Sequence, residues 1–237
     1  MTIHVLLNQK GGVGKSTVAV NLAAVTADVL NQDDDPDATS PVAAVSVDPQ
    51  GSAIWWADRL DNLPFHIVQA HDDLNGLRQL GQLPGIRHTY VDTPGWIDLN
   101  AADDTSDPLG SGPAADALRT VLEVADHVIV PMETEPLSFD PTARTIRKIL
   151  EPRGIPYTVV INNWDPRDGK SDLEETKDFV RANKWPLAKT VIRHYKLHAR
   201  ASADGLVVTE YPANRVALQA REDFYRLALE LRIDGGR

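Results

Sequence analysis

The sequence predicts an α/β fold: a mostly parallel, twisted sheet with helices on both faces. Three observations carry that expectation. Short β-branched runs alternate with longer helix-like runs along the whole chain. The first strand-like run passes through a glycine-rich turn straight into a helical run. Three strand-like runs end in Asp48, Asp92 and Asn162, which sets polar groups at the carboxyl edge, where open α/β sheets bind ligands.

Taken in order, Ile3–Leu7 is the first strand and Lys15–Leu30 the helix after it. Val42–Val47 leads to a helix over Ser52–Leu60, and Phe65–Val68 to one over Asp72–Leu80. The strand Thr89–Val91 is followed by Pro113–Ala125, and His127–Pro131 by Phe139–Leu150. Tyr157–Ile161 precedes a helix over Asp172–Lys184, and a last strand, Thr190–Ile192, precedes the helix Ala213–Leu231. In that last helix Val216, Ala220, Phe224, Leu227 and Leu231 form a core-facing stripe. Asn31–Ser40 and Asp98–Pro113, rich in Asp, Gly, Ser and Pro, read as solvated loops. No internal repeat or long linker divides the chain, so one domain over residues 1–237 is expected.

With 42% hydrophobic residues the composition is that of a folded globule rather than a disordered chain. There is no cysteine, which excludes disulfides, thiolate zinc sites and cysteine-held iron–sulfur clusters. No signal-peptide pattern and no membrane-length apolar run is present, so a cytoplasmic protein without a membrane partner is expected. The net charge of −10 means that any nucleic-acid contact must come from a local basic patch. Seven histidines show no metal-ligand spacing beyond His194 and His198, four apart and without the glutamate of a zincin motif. Trp55 and Trp56 suit either a core or a subunit contact.

The chemistry is concentrated in Lys10-Gly11-Gly12-Val13-Gly14-Lys15-Ser16-Thr17. Glycines let a backbone fold closely around an anion, and the start of the following helix aims unpaired N–H groups at it. Lys15 can reach the β- and γ-phosphates of a nucleotide, Ser16 offers a hydroxyl to Mg²⁺, and Thr17 can hold an inner phosphate. The standard pattern has a glycine where Gln9 stands, and here a second lysine, Lys10, fronts the loop. This form resembles the deviant Walker A loop of the ParA/MinD/nitrogenase-iron-protein ATPases. The resemblance implies a P-loop NTPase fold, ATP and Mg²⁺ as cofactors, and a front lysine that crosses a dimer interface to the phosphates of the other subunit. The absence of cysteine argues against the nitrogenase-like branch.

Two further segments extend the match. Thr89-Tyr90-Val91-Asp92-Thr93-Pro94-Gly95 looks like the Walker B segment, with Asp92 serving the Mg²⁺ shell directly or through water. Val45-Ser46-Val47-Asp48-Pro49-Gln50-Gly51 resembles the family's Asp-Pro-Gln-Gly segment, although Ser46 replaces a usual acid. By resemblance Asp48 orients the attacking water. Asn162, with Asn163 as the alternative, is implied to read the adenine, since an amide can both donate to and accept from its edge. Val128–Pro131 and the loop after it read as core and switch-adjacent structure, with Asp140 and Thr142 as helix-start residues.

Lys189, Arg193, Lys196 and Arg200 cluster after Trp185-Pro186, and Arg215, Arg221 and Arg226 lie on the last helix, with Glu222 weakening that patch. ParA-like proteins bind nonspecific DNA through basic residues in this region. The candidates here are Arg193, Lys196, Arg200 and Arg215, in contacts that are salt-sensitive and sequence-blind. The tail lacks the lysine-rich amphipathic helix of the MinD branch. The resemblance is thus to short ParA-type partition ATPases without an N-terminal helix-turn-helix domain. It implies an ATP-bound homodimer, nucleoid association and a ParB-like centromere-binding partner. Two other expectations stand beside DNA partition: a ParA-like ATPase that positions a protein cargo, and a dethiobiotin-synthetase-like metabolic enzyme that has no need of Lys10.

Overall fold

A computed structural model describes residues 1–31, 39–59, 63–96 and 107–234. Among them are six strands: β1 Thr2–Leu6, β2 Val42–Ser46, β3 His66–Gln69, β4 His88–Asp92, β5 His127–Met132 and β6 Tyr157–Ile161. All pair in parallel, in the order β3-β2-β4-β1-β5-β6. The register sets Leu6 opposite both Asp92 and Ile129, and Ser46 opposite Asp92. The chain therefore leaves β1, β2 and β4 at one level, and Asn8, Asp48 and Thr93 follow on the same carboxyl edge.

The helices are α1 Lys15–Leu30, α2 Ser52–Ala57, α3 Leu74–Arg78, α4 Pro113–Val124, α5 Phe139–Arg144, α6 Glu151–Arg153, α7 Ser171–Ala182, α8 Lys196–Asp204 and α9 Arg215–Asp234. The strands divide their side chains by alternation, as the pleat requires. Leu6, Ala44, Tyr90, Ile129 and Val160 face a cluster with α1, α2, α8 and α9. Val5, Val45, Val91, Val130 and Val159 face a second cluster with α3, α4, α5 and α7. Both sheet faces are covered, which is why the strands read as nearly continuous apolar runs. Helix α1 lies deepest: every residue from Val18 to Ala27 is buried.

Three expectations are corrected, and one element is new. Thr190–Ile192 is not a strand; residues 187–193 run beside β6 with isolated bridges at Leu187 and Arg193. Glu230 on α9 accepts the N–H groups of Lys189 (2.6 Å) and Thr190 (3.1 Å), and the Thr190 N–H, lying between those of Ala188 and Ile192 that reach β6, is the one a ladder would need. The segment after Tyr195, to which no element was assigned, forms α8 and ends at Gly205 in the left-handed region. The run from Phe139 does not stop at Leu150: α5 passes through a π-helical stretch, Thr145–Leu150, into α6. The helix expected from Asp72 begins only after Asp73, which caps it by accepting the Gly76 N–H at 2.9 Å. Most of the two expected loops, and the end of the helix expected to reach Leu60, lie outside the described residues.

Candidate functional site

The site is built on the carboxyl edge of β1, β2 and β4. Leaving β1, the chain turns through Asn8–Gly14, and Gly14 caps α1 with φ +85°, a backbone that favours glycine. Asn8 is fully buried and fixes the turn from beneath. Its amide donates to the Pro131 carbonyl (2.8 Å) and to Thr142 Oγ1 (2.9 Å), and its Oδ1 accepts the Lys10 N–H (3.0 Å). Thr145 Oγ1 accepts the Gln9 N–H at 2.9 Å. The helix α5 and its π-helical continuation thus brace the loop. Thr142, expected only as a helix-start residue, is one of the braces. π-helical turns recur at such functional places.

Gly11, Gly12, Gly14, Lys15, Ser16 and Thr17 line a cleft of about 380 Å³ together with Asp48, Gln50 and Thr93. Lys15 is buried, and its Nζ donates to the carbonyls of Asn8 and Lys10 at 3.1 Å each. Burial lowers its pKa, partly offset by the negative charges of Asp92 and Asp48. Asp92 is 1% exposed, and neither of its carboxylate oxygens has a hydrogen-bond partner. Burial pushes its pKa up to about 7, helped by the charge of Asp48. The Ser16 hydroxyl, the Lys15 charge and the Thr93 amide pull it back down, although none closes a hydrogen bond of ordinary geometry. A buried carboxylate with two free oxygens beside a serine hydroxyl is a donor set suited to a hard cation.

Asp48 stands half-exposed at the cleft wall. Its Oδ1 accepts the Gln50 N–H (2.9 Å), and its carbonyl accepts from Gln69 Nε2 (2.7 Å). Gly51, φ +64°, then caps α2. Beyond Asp92, Thr93 Oγ1 donates to the Leu6 carbonyl at 2.6 Å. Gly95 packs against the phosphate loop so closely that a Cβ would lie 2.9 Å from the Gln9 carbonyl.

Besides the buried Asp92, three sequence-derived candidates for the phosphate site lie elsewhere than the cleft lining. Val13 is buried behind the loop, and its carbonyl accepts from Asn162 Nδ2 at 2.8 Å. The amide expected at the adenine therefore braces the loop. Lys10 turns away: its Nζ meets Glu133 Oε2 at 3.0 Å and Glu135 Oε2 at 3.4 Å. Burial alone would lower its pKa, but the two glutamates outweigh it and the net shift is upward. No local pattern marks Glu133, Thr145 or Gln69, whose bonds to Lys10, Gln9 and Asp48 span 123, 136 and 21 residues.

The basic candidates divide. Lys196, Arg200 and Arg215 are exposed. Arg193 is not available in the same way. Its guanidinium grips Asp223 through Nε (2.9 Å) and Nη2 (2.7 Å) and also reaches the Gln219 carbonyl (3.0 Å). Arg193 thus carries an intramolecular ion pair that the expectation of a DNA contact did not foresee. Arg226 pairs with Glu222 at 2.6 Å, and Arg221 is tied to backbone carbonyls of Val208 and Thr209. His194 and His198 serve Asn163 and Tyr211 rather than a common metal, and no group of three possible metal ligands occurs among the described residues. Trp56 is core, with Nε1 on the Leu206 carbonyl, whereas Trp55 is exposed beneath the Arg59 guanidinium. Among the described residues no helix is long and apolar enough to cross a membrane.

A lysine-bearing glycine loop between β1 and α1, facing acids at the ends of two neighbouring parallel strands, defines a P-loop nucleotide-binding protein. Residues 4–208 match the CobQ/CobB/MinD/ParA nucleotide binding domain, and the chain belongs to that family. It is 33% identical over 229 residues to the maintenance of carboxysome distribution protein A of Gloeobacter kilaueensis, covering 95% of this chain and 92% of that protein. Its fold is that of the Cyanothece McdA(D38A)–ATP complex (TM-score 0.67, 14% identity, 98% and 96% of the two chains). The fold is also that of a structure described as a plasmid partition protein of Borrelia burgdorferi bound to AMPPNP (TM-score 0.63, 15% identity, 97% and 99% of the two chains).

Proposed function

We propose that this chain is a ParA-type ATPase that dimerises around ATP and positions a protein cargo. What supports hydrolysis is one relationship: a lysine-fronted phosphate loop set against Asp92, whose two oxygens lack partners. Gly11 to Thr17 cradle the phosphates, with Lys15 on the β- and γ-phosphates. Ser16 and Asp92 would hold Mg²⁺, which supplies charge neutralisation on the triphosphate. Asp48 orients the attacking water, and Asn162 holds the loop from behind. The partner subunit's Lys10 completes the phosphate site, a role like that of an arginine finger. Turnover is thereby tied to dimerisation, and hydrolysis releases the assembled state.

The choice of cargo rests on likeness over nearly full length to a protein named for carboxysome distribution. In this reading the stimulating partner sits on the cargo. DNA partition with a ParB-like centromere-binding partner is the second reading, and the exposed Lys196, Arg200 and Arg215 suit both readings alike. Both readings have nonspecific DNA as the surface on which the dimer rides, hence a cytoplasmic, nucleoid-associated protein. A dethiobiotin-synthetase-like enzyme would turn over ATP only with a small acceptor and would not need Lys10.

The test is sizing with ATP and Mg²⁺ against ADP, with and without duplex DNA, together with turnover of Lys10→Ala. A dimer formed only with ATP, and loss of turnover in the variant, are expected. A monomer under every condition, or full turnover by Lys10→Ala, would overturn the reading. The product of the neighbouring gene separates cargo from partition: a cargo-bound protein that stimulates turnover supports the first, a centromere-binding one the second.

A further inference from the structure

We propose that Glu133 is a cis latch: it parks Lys10 on its own subunit, so that the lysine must be released before two subunits close on ATP. The inference rests on the reading above that Lys10 serves the partner's phosphates.

Glu133 follows β5 directly and its side chain is only 13% exposed. Oε2 holds Lys10 Nζ at 3.0 Å, while Oε1 accepts from Asn163 Nδ2 at 2.9 Å. The backbone N–H of Glu133 donates to Ser138 Oγ at 3.2 Å. Asn163 is itself fixed, with a left-handed backbone at φ +63° and its Oδ1 on His194 Nδ1 at 2.6 Å. The carboxylate is thus oriented from both sides, one oxygen kept for the lysine. Glu135, far more exposed, adds a longer contact at 3.4 Å. An ammonium so held cannot also reach a neighbouring molecule's triphosphate. Its departure leaves Glu133 with Asn163 as its remaining side-chain partner.

Closure of a dimer opens two latches, so a bias against release acts twice on the dimer constant. A partly buried ion pair that disfavours release about threefold in each subunit would weaken dimerisation about tenfold.

The test measures dimerisation by sedimentation with a nonhydrolysable ATP analogue and Mg²⁺ for the wild type, Glu133→Gln, Glu135→Gln, their double variant and Lys10→Ala. Glu133→Gln should tighten the dimer about tenfold, the exposed Glu135→Gln by less, and the double variant most. Loss of a merely structural contact would move the constant the other way. If both glutamine variants dimerise no more tightly than wild type while Lys10→Ala loses dimerisation or turnover, Lys10 acts across the interface and the latch is refuted. If Lys10→Ala dimerises and turns over ATP like wild type, the crossing role fails and the latch with it.

Discussion

Gly14 and Asn162 are fitted to one another: a Cβ on Gly14 would lie 2.3 Å from Asn162 Nδ2, the atom that donates to the Val13 carbonyl. Gly14 also has φ +85°, which an L side chain adopts at a cost of about 1 kcal/mol. Gly14→Ala should therefore lose roughly 2–3 kcal/mol of stability and most nucleotide affinity. The double variant Gly14→Ala/Asn162→Ala removes the clash but keeps the backbone strain, so it should recover stability only in part. Denaturant titrations and binding of a fluorescent nucleotide check both. Wild-type affinity in Gly14→Ala would mean the loop does not close on phosphate in this shape.

Asp92 predicts an exchange of stability for function. Its folded pKa of about 7 lies above the value of an unfolded aspartate, so the native state binds more protons than the unfolded one between about pH 4 and 7. Stability of the nucleotide-free protein should then fall as pH rises through that window. Above it the ionised, buried carboxylate costs on the order of 4 kcal/mol. Asp92→Asn should melt higher than wild type at pH 8, show little difference at pH 4, and fail to hydrolyse ATP. Thermal melts at the two pH values decide it; a variant that melts lower at pH 8 contradicts the sign.

Much of this was legible in the sequence, for a physical reason. Asp92 is the last residue of β4, Asp48 lies two residues past β2, the phosphate loop follows β1, and six of seven expected strands occur. Local pattern therefore fixed both the element and the place of its polar end on the sheet edge. What was not legible depended on contacts across long separations. In the seventh expected strand, Glu230 takes the Thr190 amide that would continue the ladder. Arg193 is drawn into an ion pair by Asp223 on α9, thirty residues along the chain. Lys10 points at Glu133, and no local periodicity marks that pairing.

Asn8 illustrates the same limit and gives a third prediction. It reads as an ordinary strand-end asparagine, yet it is buried with bonds to Pro131, Thr142 and the Lys10 amide. Asn8→Ala leaves buried groups unpaired and should cost about 2–4 kcal/mol. Asn8→Asp keeps the acceptor for Lys10 N–H but sets a charge against the Pro131 carbonyl, so it should be no better tolerated. Urea titration measures both. If either variant unfolds with the wild-type midpoint, the loop is not braced from β5 and α5.

The basic residues supply the last prediction, since the structure separates those that hold the fold from those left facing solvent. Arg193 is bonded at three points, and its partner Asp223 is only 5% exposed. Removing the guanidinium strands a buried carboxylate, a loss of about 3 kcal/mol. Arg193→Ala should therefore lower the melting temperature, and any loss of DNA retention should follow that loss of fold. Lys196→Ala, Arg200→Ala and Arg215→Ala remove exposed cations and should leave melting unchanged. If these residues meet phosphate, each substitution should reduce the slope of log affinity against log salt by about 1, whatever the DNA sequence. Melting curves and salt-dependent DNA binding of the four single variants test this together. An Arg193→Ala protein that melts like wild type but releases DNA would return that residue to the interface. Unchanged salt slopes in the other three would move the DNA-binding surface away from α8 and the start of α9.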